Sequence, residues 1–288
     1  MVSGAALVAA SVSGCASAFR PSNRLVPGPS GAVGAAPLGQ HRIAILSGSA
    51  TAKGVFIVDL TNGEVQKSFG VTKESTGIAA ETPEGPLLLT VGGLSPTKHP
   101  FGAVERWTLA GEKTQVVPLP SAARGISSVA QGFAYLLIGN GSARAALPIA
   151  IPSLKRGKPI ALDANARTLG QCIFGDSPYL VYSGGTQGTV VVREIESGIV
   201  VRSTVVADAP MCLAGKQQVF AISHAFAAAS IVSLSLPTLL QLQLIPASND
   251  AIALYESADH HLLALNATSR LSNVEVFPDD ALTKTGAK

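Results

Sequence analysis

Three runs decide the fold class: Arg42-Ile-Ala-Ile-Leu-Ser47, Gly54-Val-Phe-Ile-Val-Asp-Leu60 and Glu64-Val-Gln-Lys-Ser-Phe69. The first two are rich in β-branched and apolar residues and are separated by a small-residue loop through Lys53. Asn62-Gly63 lies between the second and third. Asn-Gly between such runs is a strong hairpin signal, because both residues tolerate positive φ. The stretch therefore reads as three antiparallel strands in series.

The same order recurs along the chain. A second copy has Leu87–Val91, Val104–Leu109, a turn at Ala110-Gly111 and Thr114–Pro118. A third has Ala134–Ile138 and a turn at Arg156-Gly157. The fourth has Tyr179–Tyr182, Thr189–Ile195 and Ser197-Gly198. The fifth has Val219–Ile222, Ile231–Leu236, a turn near Pro237-Thr238 and Leu240–Leu244. The sixth has Leu262–Leu265, Asn273–Phe277 and a turn at Pro278-Asp279. Turns near 63, 111, 157, 198, 239 and 280 are 48, 46, 41, 41 and 41 residues apart. One more short run precedes each later copy, such as Gly125–Val129 or Ala251–Leu254. Four short strands per unit at this period mark a β-propeller blade. The fold class expected is all-β, a propeller of six or seven four-stranded blades. Residues 217–249 carry no Lys, Arg, Asp or Glu. Their period-two alternation, with Pro237 in the middle, makes them strands of a half-buried sheet and not a membrane helix.

Val55-Phe-Ile-Val-Asp-Leu-Thr-Asn-Gly-Glu-Val65 resembles the outer hairpin of the propeller family that includes YVTN-type and WD40-type repeats. The resemblance covers residues 41–288 and is one of architecture. The Gly-His and Trp-Asp signatures of WD40 repeats are absent, and Trp107 alone cannot supply the repeated Trp motif of quinoprotein dehydrogenase propellers.

Composition narrows function. The chain of 288 residues is 47% hydrophobic and only 14% charged, with a net charge of +3. That excludes a disordered chain and gives no electrostatic footprint for nucleic acid. The first 19 residues carry no charged side chain, and the apolar stretch Ala5–Val12 leads into Val12-Ser-Gly-Cys15. These four residues resemble the bacterial lipobox, in which cleavage before a lipidated cysteine leaves that cysteine as the mature N-terminus. The basic residues that normally open a signal peptide are missing from Met1–Gly4. Residues 1–14 are accordingly expected to be a signal peptide, Cys15 a lipidation site, 15–40 a flexible tether and 41–288 the propeller. Pro21, Pro27, Pro29 and Pro37 with four glycines between 28 and 39 support the tether. Because one innermost strand is missing from the count, the alternative is that this segment supplies it.

Asp163, Asp208 and Asp250 each sit just before the first strand of their unit, on one expected rim of the channel. The loops after each second strand open on that same face and carry Lys53, His99, Arg144, His224 and Arg270. Small flexible loops with scattered basic tips and nearby carboxylates make a candidate ligand-binding face, of which Asp163, Asp208, Asp250, His224, Arg144 and Arg270 are the residues singled out. Turn chemistry accounts for the same Asp and Gly residues equally simply. Cys172 and Cys212 occupy equivalent places in units four and five, either as a disulfide or as two buried apolar residues. The adjacent His260 and His261 point to opposite sides and make a poor metal pair. Asn140-Gly-Ser142 and Asn266-Ala-Thr268 match the glycosylation pattern.

No catalytic motif, metal site or cofactor is implied. The reading that results is a cell-envelope lipoprotein propeller that binds a protein or a cell-wall component, attached to the membrane through Cys15, with no nucleic-acid partner. The alternatives are a structural scaffold, a cytoplasmic protein, or a lactonase-, hydrolase- or oxidoreductase-type propeller enzyme using the rim carboxylates.

Overall fold

The computed structural model describes residues 23–39, 41–49, 53–92, 102–140, 143–185, 187–213, 216–224, 229–268, 270–279 and 282. The chain opens with β1 (Arg24–Gly28). Blade I follows as β2 (Ala32–Leu38), β3 (Arg42–Ser47), β4 (Gly54–Asp59) and β5 (Val65–Phe69). Blade II is β6 (Ser75–Ala80), β7 (Leu87–Val91), β8 (Ala103–Trp107) and β9 (Lys113–Pro118). Blade III is β10 (Ala123–Ile126), β11 (Phe133–Asn140), β12 (Ala143–Ala150) and an outer strand in two pieces, β13 (Lys155–Arg156) and β14 (Ile160–Ala161). Blade IV is β15 (Leu169–Phe174), β16 (Ser177–Gly184), β17 (Thr189–Glu194) and β18 (Val200–Val206). Blade V is β19 (Asp208–Cys212), β20 (Gln218–Ser223), β21 (Ser230–Ser235) and β22 (Gln241–Pro246). Blade VI is β23 (Ala251–Glu256), β24 (Leu262–Ala267) and β25 (Ser272–Phe277).

Every blade is an antiparallel meander, and β1 completes blade VI as its outermost strand. Arg24 pairs with Val276 and Gly28 with Ser272. The molecule is thus a ring of six four-stranded blades in which the first and last described strands share one sheet. The expected beginning at His41 is corrected: β1 and β2 both lie within the segment read as a tether. The alternative, in which this segment supplies the missing innermost strand, describes β2. Only residues before Asn23 remain for a tether, and they, with Cys15, lie outside the described residues.

The innermost strands β2, β6, β10, β15, β19 and β23 contact one another in succession around the axis. Packing between blades forms the core. Ile43, Ile45, Leu263 and Leu265 join blades VI and I, while Leu46, Ile57, Leu87 and Leu89 join I and II. Leu88, Leu136 and Leu147 join II and III, and Val181, Val190, Val219 and Val232 join IV and V. Phe220, Ile231, Leu262 and Phe277 join V and VI. The uncharged stretch forms β20, β21 and β22, and no helix among the described residues is long and apolar enough to cross a membrane.

Two expected turns are also corrected. Arg156-Gly157 is part of the outer edge of blade III, with the Gly157 N–H bonded to the Pro148 carbonyl, and the chain reverses at 151–154 instead. At Pro278 the expected turn does not lead into the blade's outer strand among the described residues, because β1 occupies that edge.

Candidate functional site

Antiparallel order sends the loop between second and third strands, and the link from each outer strand to the next blade, to the same end of the ring. We call this the top face. In five blades the innermost strand enters here through a one-residue slip in its pairing. The slips lie between Ala32 and Gly34, Ser75 and Gly77, Ala123 and Gly125, Asp208 and Met211, and Ala251 and Ala253. Such bulges re-aim side chains at the rims of β structures. Here Val33, Thr76, Arg124 and Ile252 are the residues set out of the ladder, with Val33 and Ile252 46% and 39% exposed. A small residue follows the bulge in four of these blades, Gly34, Gly77, Gly125 and Ala253, and at Gly77 the neighbouring strand comes close. A Cβ on Gly77 would lie 3.1 Å from the Gly125 Cα. Blade IV has a regular ladder, yet a Cβ on Gly170 would lie 2.7 Å from the Pro210 carbonyl oxygen.

The second strands end at this face in buried polar residues: Ser47, Thr90, Ser183, Ser223 and Asn266. Ser47 Oγ donates to the Ser30 carbonyl at 2.6 Å, and Ser223 Oγ to the Val206 carbonyl at 3.0 Å. These bonds satisfy hydroxyls that burial would otherwise penalise, and they tie blades I and V to their incoming connections.

Asp208 belongs to this structural set. Its Oδ1 accepts from Ser183 Oγ at 2.5 Å, Thr168 Oγ1 at 2.8 Å and the Ala209 N–H at 2.8 Å. Arg167 is 3.9 Å from its other oxygen. The same strand carries Cys212, which is bonded to Cys172 of β15 with Cα atoms 5.5 Å apart. Of the two readings left open for these cysteines, the disulfide is the one present. The seam between blades IV and V is therefore clamped at one end by Asp208 and along its length by a disulfide.

Asp163 is held by both prongs of Arg202, at 2.5 and 2.9 Å. The pair walls a small cleft of about 270 Å³ with Asn165, Gly184, Gly185 and Thr189. Tyr182 is buried below it, and burial, then the Asp163 charge, push its phenol pKa up. Hydrogen bonding to Asp163 raises that of Arg202.

The structure does not bring the singled-out residues together into one reactive group. Asp163 and Asp208 serve the frame. Asp250 is exposed and joins no ion pair among the described residues, and His224 and Arg270 are exposed on their own blades. His99 lies outside the described residues. Among the described residues no three of His, Cys, Asp and Glu cluster as metal ligands. His260 is an exposed turn residue whose Nδ1 is 2.6 Å from Glu256 Oε1. Asn266 is 2% exposed, so the folded chain does not offer it to a glycan.

Arg144 differs from the rest. It is half-buried, its Nη1 donates to the Gly139 carbonyl at 3.2 Å, and its Nε is buried without a partner. Arg124 Nε donates to the same carbonyl at 3.1 Å. Sequence reading passed over Arg124. The repeat of a small residue at 34, 77, 125, 170 and 253, each near the start of an innermost strand, would have located it.

No protein-family model matches the sequence, and no curated protein matches it. Solved structures match its fold. Hydrazine synthase of Kuenenia stuttgartiensis superposes with a TM-score of 0.61 at 12% identity, over 85% of this chain and 83% of that one. A glucose dehydrogenase gives 0.60 at 10% identity, over 88% and 99%. The WD40 β-propeller domain of Doa1 gives 0.56 at 8%, over 90% and 97%. The chain is thus similar to WD40-type propellers among others, and identities this low speak for the fold alone.

Proposed function

We propose that this chain is a binding propeller of the cell envelope, anchored through a lipid on Cys15 and presenting its top face to a protein or cell-wall component. The observation that carries the reading is the state of the rim. Two of its carboxylates, Asp163 and Asp208, are consumed by pairs internal to the frame, whereas Asp250, His224 and Arg270 stand exposed. Acid–base catalysis needs groups that converge on one reacting atom, and the exposed Asp250, His224 and Arg270 stand on three separate loops, so this rim favours recognition over the lactonase, hydrolase or oxidoreductase alternatives.

Topology supports the orientation. β1 runs upward along the outside of blade VI, so the chain reaches Arg24 from the end opposite the top face. Residues 16–23 extend to roughly 30 Å at most. An anchor on Cys15 therefore draws the bottom face toward the membrane and leaves the top face turned away from it.

The test is to express the full chain and its Cys15→Ala variant in a bacterial host. A lipid-sized mass gain and membrane partition, both lost in the variant, are expected. An unmodified, soluble full-length product overturns the anchor. Substituting Asp250, His224 and Arg270 is expected to abolish capture of an envelope partner that Glu84 and Asp259 variants on the bottom face retain. Equal capture by all of them overturns the docking face.

A further inference from the structure

We infer that Arg124 and Arg144 form an oxyanion site at the top of blade III, beside the mouth of the central channel. This deepens the docking-face reading and rests on it for its biological meaning, though its chemistry can be tested alone.

The two guanidinium groups reach the site from different strands. Arg124 is the bulged residue of the innermost strand β10. Arg144 stands on β12, directly across the ladder from Gly139. Both donate to one oxygen, the Gly139 carbonyl, at 3.1 and 3.2 Å. Two like charges converging on a single neutral acceptor repel each other. The arrangement leaves the Arg144 Nε, a buried donor, with nothing to bond. Leaving such a donor unmet is costly, because the group has given up its water.

No described carboxylate neutralises Arg144. The link that follows blade III passes beside it, with the Leu162 N–H donating to the Arg144 carbonyl at 2.9 Å. The next residue, Asp163, is gripped instead by Arg202. Burial, and then the Arg124 charge, lower the Arg144 pKa. A bound anion would reverse the second cause and satisfy the Nε donor.

The geometry suits an oxyanion. A planar guanidinium offers paired donors that match the oxygens of a carboxylate or phosphate. The bulge tilts Arg124 out of its ladder, so the pair meets solvent at the rim and not inside a blade. Val33, Thr76 and Ile252 occupy the equivalent bulges of three other blades and are uncharged. The cation at this position is therefore particular to blade III and is not a requirement of the bulge.

The experiment titrates the full chain, labelled with 15N-arginine, with sodium phosphate in one arm and sodium acetate in the other. Sodium chloride at equal ionic strength is the reference. The expected result is a saturable shift of the Arg144 Nε–H resonance with phosphate or acetate and not with chloride. Stronger binding of acetate assigns the site to the carboxylate of an acidic side chain or chain end. Stronger binding of phosphate assigns it to a phosphoryl group. Arg124→Gln, at an exposed position, is expected to weaken binding at least about tenfold with an unchanged circular dichroism spectrum. Arg270→Gln is expected to leave it unchanged. No saturable shift in either arm, an equal response to chloride, or full binding by Arg124→Gln overturns the site. Because no partner is present, such a failure leaves the docking-face reading standing. Saturable anion binding by a chain whose top-face variants still capture partner would sink that reading and keep the site.

Discussion

Removing the bond between Cys172 and Cys212 should destabilise the propeller by an amount that can be worked out beforehand. The two residues are 40 positions apart in sequence. Cross-linking a loop of that length removes chain entropy from the unfolded state worth about 4 kcal/mol. The bond also joins innermost strands of adjacent blades, so its loss acts on a seam and not on one blade. With a urea slope of roughly 3 kcal/mol/M, Cys172→Ala/Cys212→Ala should unfold about 1 M earlier than the oxidised chain. Dithiothreitol should move the parent to about the same midpoint and leave the double variant unmoved. Working in a Cys15→Ala background makes thiol titration unambiguous: the denatured, unreduced protein should show no reactive thiol, and the reduced one two. Two reactive thiols before reduction, or a midpoint indifferent to reductant, would refute the reasoning. The bond also bears on location, since structural disulfides persist in oxidising compartments and are rare in a reducing cytoplasm.

Tyr255 is only partly covered along its ring, but its hydroxyl accepts the Ala35 N–H at 2.8 Å inside the wall between blades VI and I. Burial pushes its pKa up to about 12. The folded state therefore holds this proton more tightly than the unfolded chain. Its contribution is whole below pH 10 and falls by about 1.4 kcal/mol per pH unit between 10 and 12. Tyr255→Phe should flatten that part of the stability curve relative to the parent and cost about 1–3 kcal/mol at neutral pH by orphaning the Ala35 N–H. Glu105 is buried and accepts from Thr72, from Trp107 Nε1 at 3.0 Å and from Lys113 at 3.0 Å. Glu105→Ala should cost about 3–5 kcal/mol and change the fluorescence of Trp107, the single tryptophan. Deleting residues 1–28 removes Val26, which is 1% exposed, and strips β25 of its outer partner. Analytical ultracentrifugation should then find self-association through the exposed edge, and a monomer as stable as the parent would contradict this closure.

The blades were legible because their middle strands are apolar, regular in period and separated by turns such as Asn62-Gly63. The innermost and outermost strands obey other constraints. β2 reads Ala-Val-Gly-Ala-Ala-Pro-Leu, an innermost strand of small residues packed between its neighbours around the axis, so a real strand resembled a linker. Pro27 and Pro37 reinforced that impression. Both sit on edges, one on the outermost and one on the innermost strand of a blade, where a missing N–H interrupts no continuing ladder. The turn at Arg156-Gly157 failed for a related reason. The outer edge of blade III breaks around Gly157-Lys158-Pro159, and residues that usually punctuate a chain are there absorbed into a strand edge.

The rim was legible as a face but not as chemistry. The recurrence of aspartates before first strands placed Asp163 and Asp208 on the top face, yet sequence spacing says nothing of which partner each will take. Asp208 is claimed by hydroxyls of the preceding blade, and Asp163 by Arg202 of its own blade's outer strand, some 39 residues away. Arg124 shows the opposite case. One charge in Ala-Arg-Gly-Ile carries no signal by itself. Its position becomes informative only because a bulge lifts that residue from the ladder and Arg144 is brought to the same carbonyl. Frame-building hydrogen bonds consume Asp163 and Asp208 on this face and leave the Arg144 Nε unmet. It is the meeting of this unmet donor with a second guanidinium on one carbonyl, not the aspartate repeat, that directs the search for a ligand to blade III.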